Sequence, residues 1–213
     1  MGDTAIDPAM LHAWLAARSV ARGLPAPVAD HGGYRVDTNS EAEVKRWVFP
    51  DICPGLAELA REIEEPRHAL KMCGSVDAFR KALPRRWRIH DPAYFMIATG
   101  AEQPERPIAP GYVVRTEYDG AVVAVRVSLE NGEQVASGYA AETERAFVYD
   151  RIVTAPDHRR KGVGNAVMAA LRGAKRNPEA PELLVATADG RALYLTMGWR
   201  TLSPYFTASI PEG

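Results

Sequence analysis

The amino-acid sequence predicts a mixed α/β (α+β) fold, because strand-like and helix-like segments alternate along much of the chain. Asn131-Gly132 lies between two apolar, β-branched segments, which is typical of a β-hairpin turn. Residues 162–175 instead carry apolar side chains at intervals of three and four, which predicts an amphipathic helix. With 213 residues, of which 46% are hydrophobic, the chain is long enough to bury a sizeable core.

The first half of the chain is predicted to be mixed and mostly helical. Asp7 before Pro8 is typical of a helix start, and Gly23 is typical of the end of that helix. Apolar residues at helical spacing predict a second helix over residues 55–65. The other predicted elements are short strands at 33–38 and 69–73, a short helix from Ser75 to before Pro84, and an extended segment at 87–98.

The second half is predicted to follow the order β-β-β-β-α-β-α-β. Its predicted elements lie at 112–117, 121–129, 134–140, 146–154, 162–175, 183–187, 189–197 and 199–208. Pro204 falls inside the final strand, where we expect it at a kink or an edge position. Between the halves, residues 100–110 contain three prolines and few apolar groups, which indicates a linker. We therefore expect domains at 1–104 and 105–213.

The overall composition excludes several classes of protein. The chain has 26 Lys+Arg and 27 Asp+Glu, so its formal net charge of −1 gives no general electrostatic reason to bind nucleic acid or an anionic membrane. No apolar run is long enough to cross a bilayer, and the N-terminus lacks a signal-peptide pattern. Cys53 and Cys73 lack the spacing of a zinc site. We expect a cytoplasmic protein with no metal, no nucleic-acid partner and no membrane partner.

Residues 151–166 carry the clearest chemical signal. A predicted strand ends at Thr154, and the following loop contains three consecutive cationic residues at 159–161. Gly162 and Gly164 then begin a predicted helix, whose unpaired N–H groups and dipole favour an anion such as a diphosphate. The alternative is a glycine-tolerant turn with solvated basic residues, because short glycine patterns are weak signals.

Two common nucleotide-binding motifs do not fit this loop. A Rossmann fingerprint needs a third glycine three residues after Gly164, and Val167 stands there. A Walker A loop ends in Gly-Lys-Ser/Thr, whereas Gly164 is followed by Asn165 and Ala166. The loop therefore indicates a different kind of phosphate site.

The loop resembles the acyl-CoA loop of the Gcn5-related N-acetyltransferase (GNAT) superfamily, which has the form R/Q-x-x-G-x-G/A. Residues 159–164, Arg-Arg-Lys-Gly-Val-Gly, match this form. The similarity continues upstream through the strand 152–154 and Pro156. Downstream it continues through the strand 184–187 and through residues 194–199, which resemble the family's Y-x-x-x-G-F/W ending.

The resemblance covers about residues 111–209 and implies a GNAT-like mixed, mostly antiparallel sheet flanked by helices. It also implies a site for acetyl-CoA, in which backbone N–H groups of residues 160–165 hold the pyrophosphate. The strand before the loop would pair with the pantetheine arm. The residues that the resemblance assigns to acetyl-CoA are Ile152, Val153, Thr154, Arg159, Arg160, Lys161, Gly162, Val163, Gly164 and Asn165.

The resemblance also implies candidate catalytic residues. Tyr194 matches the family's usual general acid, which returns a proton to the leaving thiolate, and the alternative is a half-buried core aromatic. Val148 stands where some family members carry a glutamate base. Asp150 is the nearby charged residue, and it either faces the substrate or pairs with Arg151 or Arg126. A water relay, or an amine that arrives neutral, would serve equally well.

The implied function is an N-acetyltransferase of the EC 2.3.1 acyltransferase class. It would move acetyl from acetyl-CoA to a primary amine of a small molecule or peptide by direct attack, as a monomer or homodimer. The alternative is a non-catalytic acyl-CoA-binding sensor or regulatory module. We expect the first half to be a degenerate acyltransferase-like or lid subdomain without a second CoA site, since residues 66–100 lack an R-x-x-G-x-G loop. The alternative for that half is an independent binding domain.

Overall fold

The computed structural model describes residues 6–100 and 107–212, and these form helices and a single large sheet. The first half contains α1 (Pro8–Ala21), β1 (Val28–Asp30), β2 (Gly33–Asp37), β3 (Lys45–Phe49), α2 (Pro54–Glu62), β4 (His68–Cys73), α3 (Val76–Ala82), β5 (Arg88–Ile89) and β6 (Ala93–Ala98). The second half contains β7 (Tyr112–Asp119), β8 (Val122–Leu129), β9 (Gln134–Glu142), β10 (Phe147–Thr154), α4 (Val163–Gly173), β11 (Glu182–Ala186), α5 (Ala188–Thr196) and β12 (Trp199–Ser209).

The predicted elements are present, with boundaries shifted by a few residues. The Asp7 carboxylate accepts a hydrogen bond from the Ala9 N–H at 2.9 Å and Pro8 is the first helical residue, which confirms the predicted start of α1. The hairpin between β8 and β9 turns at Gly132, whose φ of 90° is a conformation that favours glycine. The strands β1 and β3 were not predicted. Residues 101–106 of the expected linker lie outside the described residues.

The sheet is mostly antiparallel, as expected. Its strand order is β1-β2-β3-β4-β12-β6-β11-β10-β9-β8-β7, and β5 pairs with β12 beside this path. Only two of its strand pairs, β3–β4 and β10–β11, are parallel among the described residues. The last strand, β12, lies between β4 and β6, and β6 lies between β12 and β11. Strands of the first and second halves therefore interleave at the centre of the sheet.

The topology has an approximate internal two-fold symmetry. In the first half, β3 and β4 are parallel and joined through α2, and α3 then leads to β5 and β6. In the second half, β10 and β11 are parallel and joined through α4, and α5 then leads to β12. The strand register follows the same symmetry. Arg88, which begins β5, pairs with Ser209 at the end of β12, and Trp199, which begins β12, pairs with Ala98 at the end of β6. Each half therefore places its last strand against the other half.

The two faces of the sheet are covered by different helices. On β6, Phe95 packs in the cluster of α1, and its neighbour Met96 packs in the cluster of α4 and α5. On β12, Tyr205 packs with α1, and Phe206 packs with α2 and α3. Because neighbouring residues of a strand point to opposite faces, α1 covers one face and the other four helices cover the opposite one.

Pro204 lies in an interior strand rather than at an edge. It follows an irregularity in the β12–β6 register between Thr201 and Ser203, which is the kind of kink that admits a proline. Its carbonyl accepts a hydrogen bond from the Gly74 N–H at 3.1 Å. Among the helices that the structure describes, none combines the length and the apolar character that crossing a membrane requires.

Candidate functional site

A cleft opens where β10 and β11 separate. The two parallel strands pair only at their starts, through Phe147–Glu182 and Val148–Leu183. β10 also carries a bulge against β9 between Asp150 and Val153, and the bulge residue Arg151 has a φ of 54°. Beyond it, Val153 is 59% exposed. Beyond the bulge, Val153 and Thr154 pair with β9, and the pairs of β10 with β11 in the described part of the chain end at Val148.

The loop after β10 presents unpaired N–H groups. A short 3-10 turn at Pro156–His158 is followed by two left-handed residues, Arg160 with a φ of 60° and Gly162 with a φ of 81°. Within the described residues, the backbone N–H groups of 160–165 have no hydrogen-bond acceptor. Together with the dipole of α4, such a set of N–H groups is chemically suited to an anion.

Neighbouring side chains restrict the space for a side chain at Gly164, in the first turn of α4. A Cβ on Gly164 would lie 3.3 Å from Cδ2 of Leu193 and 3.7 Å from Oγ1 of Thr154. The loop is therefore in direct contact with α5 and with the end of β10. The segment that enters the second half also lies close to the loop, because a Cβ on Gly162 would be 3.5 Å from the Pro107 carbonyl oxygen.

The basic side chains of the loop point outward. Arg159 is 59% exposed and lies 4.0 Å from the Asp189 carboxylate, and Arg160 and Lys161 are also exposed. His158 is held instead by β7, because its Nδ1 lies 2.8 Å from the Tyr112 hydroxyl. The three cationic residues thus add positive charge around the unpaired N–H groups.

Tyr194 lies on α5, next to Leu193, which is close to Gly164 of the loop. The residue is only 6% exposed, and its ring packs 5.9 Å from that of Trp199. Burial raises the pKa of the Tyr194 hydroxyl to about 12, so the group stays protonated at neutral pH. Its hydroxyl has no hydrogen-bond partner in the part of the chain that the structure describes. Tyr194 is therefore a proton donor with an unused hydrogen.

Asp150 is surrounded by arginines on the opposite face of the sheet. Its carboxylate accepts hydrogen bonds from Nε and Nη2 of Arg22, at 2.6 and 2.9 Å. Arg18 and Arg151 lie 3.4 and 3.3 Å from it. Burial opposes ionisation, but the hydrogen bond from Arg22 and the charges of the three arginines outweigh it and lower the pKa of Asp150. Arg126, the other partner considered from the sequence, pairs with Glu117 instead.

Several residues around the cleft were missed from the sequence. Arg18 lies on α1 and Arg22 directly follows it, about 130 residues from Asp150 along the chain, and no local pattern connects them. Tyr149 donates a hydrogen bond to Glu182 at 2.6 Å, and its ring packs 5.3 Å from Trp199. This buried network holds the paired starts of β10 and β11 together behind the cleft.

In the first half, the position that corresponds to the cleft, between β3 and β4 and before α2, is closed. β3 and β4 stay paired over five positions, from Lys45–His68 to Phe49–Met72. α2 begins with Pro54, which has no N–H to offer, and a Cβ on Gly55 would lie 2.0 Å from the His31 carbonyl oxygen. The turn between β1 and β2 thus fills the space that the loop before α4 leaves open. Among residues 6–100 and 107–212, no cluster of three or more ligating side chains suited to a metal ion is found.

Comparisons with known proteins agree on the fold. Residues 111–201 match a family model described as an acetyltransferase (GNAT) domain. A GCN5-related N-acetyltransferase from Kribbella flavida is similar with a TM-score of 0.64 at 13% identity, over 93% of this chain and 96% of that one. One from Sphaerobacter thermophilus is similar with a TM-score of 0.56 at 14% identity, over 100% and 98% of the two chains. A search of curated proteins gives no significant match.

Proposed function

We propose, from the match of residues 111–201 to the model of a GNAT acetyltransferase domain, that the protein transfers acetyl from acetyl-CoA to a primary amine of a small molecule or peptide. One observation carries the proposal. The pairing of β10 with β11 ends at Val148, and the loop that follows β10 carries the unpaired N–H groups of residues 160–165. An extended chain that ends in a diphosphate matches this combination of a strand-lined gap and an anion site.

The residues at the cleft fit acetyl-CoA. When bound, acetyl-CoA would supply an activated acyl thioester. Residues 152–154 would offer backbone groups to the amides of the pantetheine arm, as one strand does to another. Residues 160–165 would donate N–H groups to the pyrophosphate, and Gly162 and Gly164 would let the backbone approach it closely. Arg159, Arg160 and Lys161 would add attraction for the phosphates from the rim.

Tyr194 is the proposed general acid. Its hydroxyl is protonated, is free of partners within the described residues, and lies on the helix whose Leu193 is close to Gly164. Such a group can give its proton to a leaving sulfur.

Asp150 is proposed as a positioning residue rather than as the base. Both of its oxygens accept hydrogen bonds from Arg22, and its lowered pKa makes it a weak proton acceptor. Its ion pairs instead connect α1 to the bulge of β10, and Arg151 donates to the Ala21 carbonyl at the end of the same helix. The amine would then arrive neutral or lose its proton to water.

The proposal is tested by measuring binding and thiol release separately. Titration calorimetry of the full chain with acetyl-CoA measures binding, and a thiol reagent measures free CoA released in the presence of a panel of primary amines. Release that depends on both enzyme and amine is expected. Binding without release for any amine would favour the alternative, an acyl-CoA-binding sensor or regulatory module. Absence of binding would reject both functions.

A further inference from the structure

The strand β7 forms a long, open edge of the sheet. In the described part of the chain the main path of the sheet ends in β7 on one side and in β1 on the other, and β1 is only three residues long. β7 spans eight residues, all paired with β8 in one uninterrupted register. On its other side it has no partner strand among the described residues, and seven of its eight residues are exposed. Its outer row of backbone groups is therefore available for pairing.

Apart from the charged side chains of Arg115, Glu117 and Asp119, β7 lacks the usual features that protect an edge strand. It contains no proline, no lysine and no bulge. It also carries three of the eight large apolar side chains that are exposed in the described part of the chain, Val113, Val114 and Tyr118, at 41%, 38% and 61% exposure. An edge of this length, without a bulge and with exposed apolar side chains between its charges, is a surface on which another strand can dock.

One positive charge on β7, that of Arg115, lacks a counter-charge among the described residues of the chain. Arg115 lies directly opposite Arg126 on β8, and like charges in this position are destabilising. Arg126 has a carboxylate partner in Glu117 at 3.4 Å, whereas Arg115 has no ion-pair partner among the described residues. A carboxylate brought to the outer side of β7 would compensate Arg115.

We propose that β7 pairs with β7 of a second copy of this chain, antiparallel and about a two-fold axis through Thr116. In this register, Arg115 of each copy lies opposite Glu117 of the other, so both arginines gain a counter-charge. Val114 lies opposite Tyr118, and the two Thr116 side chains face each other. The sheet continues from one copy into the other.

The charges favour this register over its neighbours. In a continuous antiparallel sheet the two-fold axis is perpendicular to the sheet, so two residues that pair across it have side chains on the same face. The permitted registers therefore differ by two residues, which moves the axis by one residue along the strand. Moving the axis to residue 115 would place Arg115 opposite Arg115. Moving it to residue 117 would place Glu117 opposite Glu117. Only the axis at Thr116 pairs every Arg115 with a Glu117 and opposes no like charges.

Charge reversal tests this pairing through the mass of the full chain in solution. Sedimentation equilibrium of the unmodified chain is expected to give a dimer. Arg115→Glu and Glu117→Arg should each weaken dimerisation by about 30-fold, because two favourable pairs become repulsive. A mixture of the two single variants should form a heterodimer, since the two carboxylates of one variant then face the two arginines of the other. The double variant R115E/E117R should dimerise like the unmodified chain.

Arg115→Glu is the decisive single variant, because a glutamate opposite Arg126 forms a new pair within the chain and leaves the fold intact. Arg145→Glu, in the turn before β10, makes the same charge change at an exposed position away from β7 and should leave the dimer unchanged. A monomeric unmodified chain, or an R115E variant that dimerises as tightly as the unmodified chain, would overturn the proposal.

Discussion

At the scale of single residues, the absence of a side chain at Gly164 lets the loop lie in contact with the neighbouring helix α5. Gly164→Glu would place a bulky anion within contact distance of Leu193 and Thr154, in the space proposed for the pyrophosphate. Acetyl-CoA binding should weaken by roughly 100-fold or more, because like charges and steric overlap both oppose it. Titration calorimetry measures the loss. Gly173→Glu is the matched control, since a Cβ at the other end of α4 meets nothing within 4 Å, and unchanged affinity in a folded G164E variant would exclude a cofactor site at this loop.

A variant at Tyr194 can distinguish a catalytic role of its hydroxyl from a packing role of its ring. Tyr194→Phe removes the hydroxyl and keeps the ring against Trp199, and no hydrogen bond within the described residues is lost. Turnover should fall by about 10²–10⁴-fold, while affinity for acetyl-CoA and the melting temperature stay nearly constant. Steady-state kinetics with calorimetric binding provides the comparison. Turnover equal to that of the unmodified chain would assign Tyr194 to the core alone.

Asp150 makes stability depend on pH. Its folded-state pKa lies below the unfolded value, so the carboxylate stabilises the fold fully above about pH 4, and this contribution is lost as the pH falls through the folded-state pKa. Asp150→Asn leaves Arg18, Arg22 and Arg151 without their shared carboxylate and should cost about 3–5 kcal/mol at pH 7. Urea unfolding at several pH values should show this difference shrinking towards low pH. A general base would behave differently, with turnover lost and the unfolding free energy unchanged.

At the scale of elements, the two parallel strand pairs differ although their connections are alike. β10 and β11 pair at two positions and then separate, whereas β3 and β4 pair at five, and the His31 carbonyl covers the start of α2. The full chain should therefore bind one equivalent of acetyl-CoA. Calorimetric stoichiometry of the full chain checks this, with the Gly164→Glu variant as the control. A second equivalent that survives in that variant would show that the first half also binds the cofactor.

At the scale of the whole molecule, the two halves share one sheet. β6 of the first half pairs on one side with β11 and on the other with β12, and α1 contributes the arginines that hold Asp150. A fragment of residues 105–213 would lose β4, β5 and β6, which exposes one edge of β11 and both edges of β12. We expect it to be insoluble or unfolded, and inactive.

Circular dichroism, gel filtration and the thiol-release assay on the fragment provide the test, with the full chain as the reference. A fragment that is soluble, folded and as active as the full chain would show that the first half neither walls the acceptor pocket nor is needed for packing. The boundary at residues 104 and 105 would then separate independent domains.

Much of the local structure follows from the sequence because its signals act over a few residues. Asp7 and Pro8 begin α1, Asn131-Gly132 makes the β8–β9 turn, and Gly162 ends the loop before α4. These positions depend on capping, on left-handed backbone angles and on periodicity, which neighbours along the chain determine. The loop and its helix start at residues 159–164 could be predicted for the same reason.

The tertiary structure alone decided which distant segments meet. The exchange of β6 and β12, the separation of β10 from β11, and the contact of Arg22 with Asp150 each join residues far apart in sequence. Strand pairing leaves little trace in either partner, because the same alternating pattern suits many neighbours. The charge of Asp150 was visible in the sequence, but its protonation depends on arginines that only the packing of α1 brings to it.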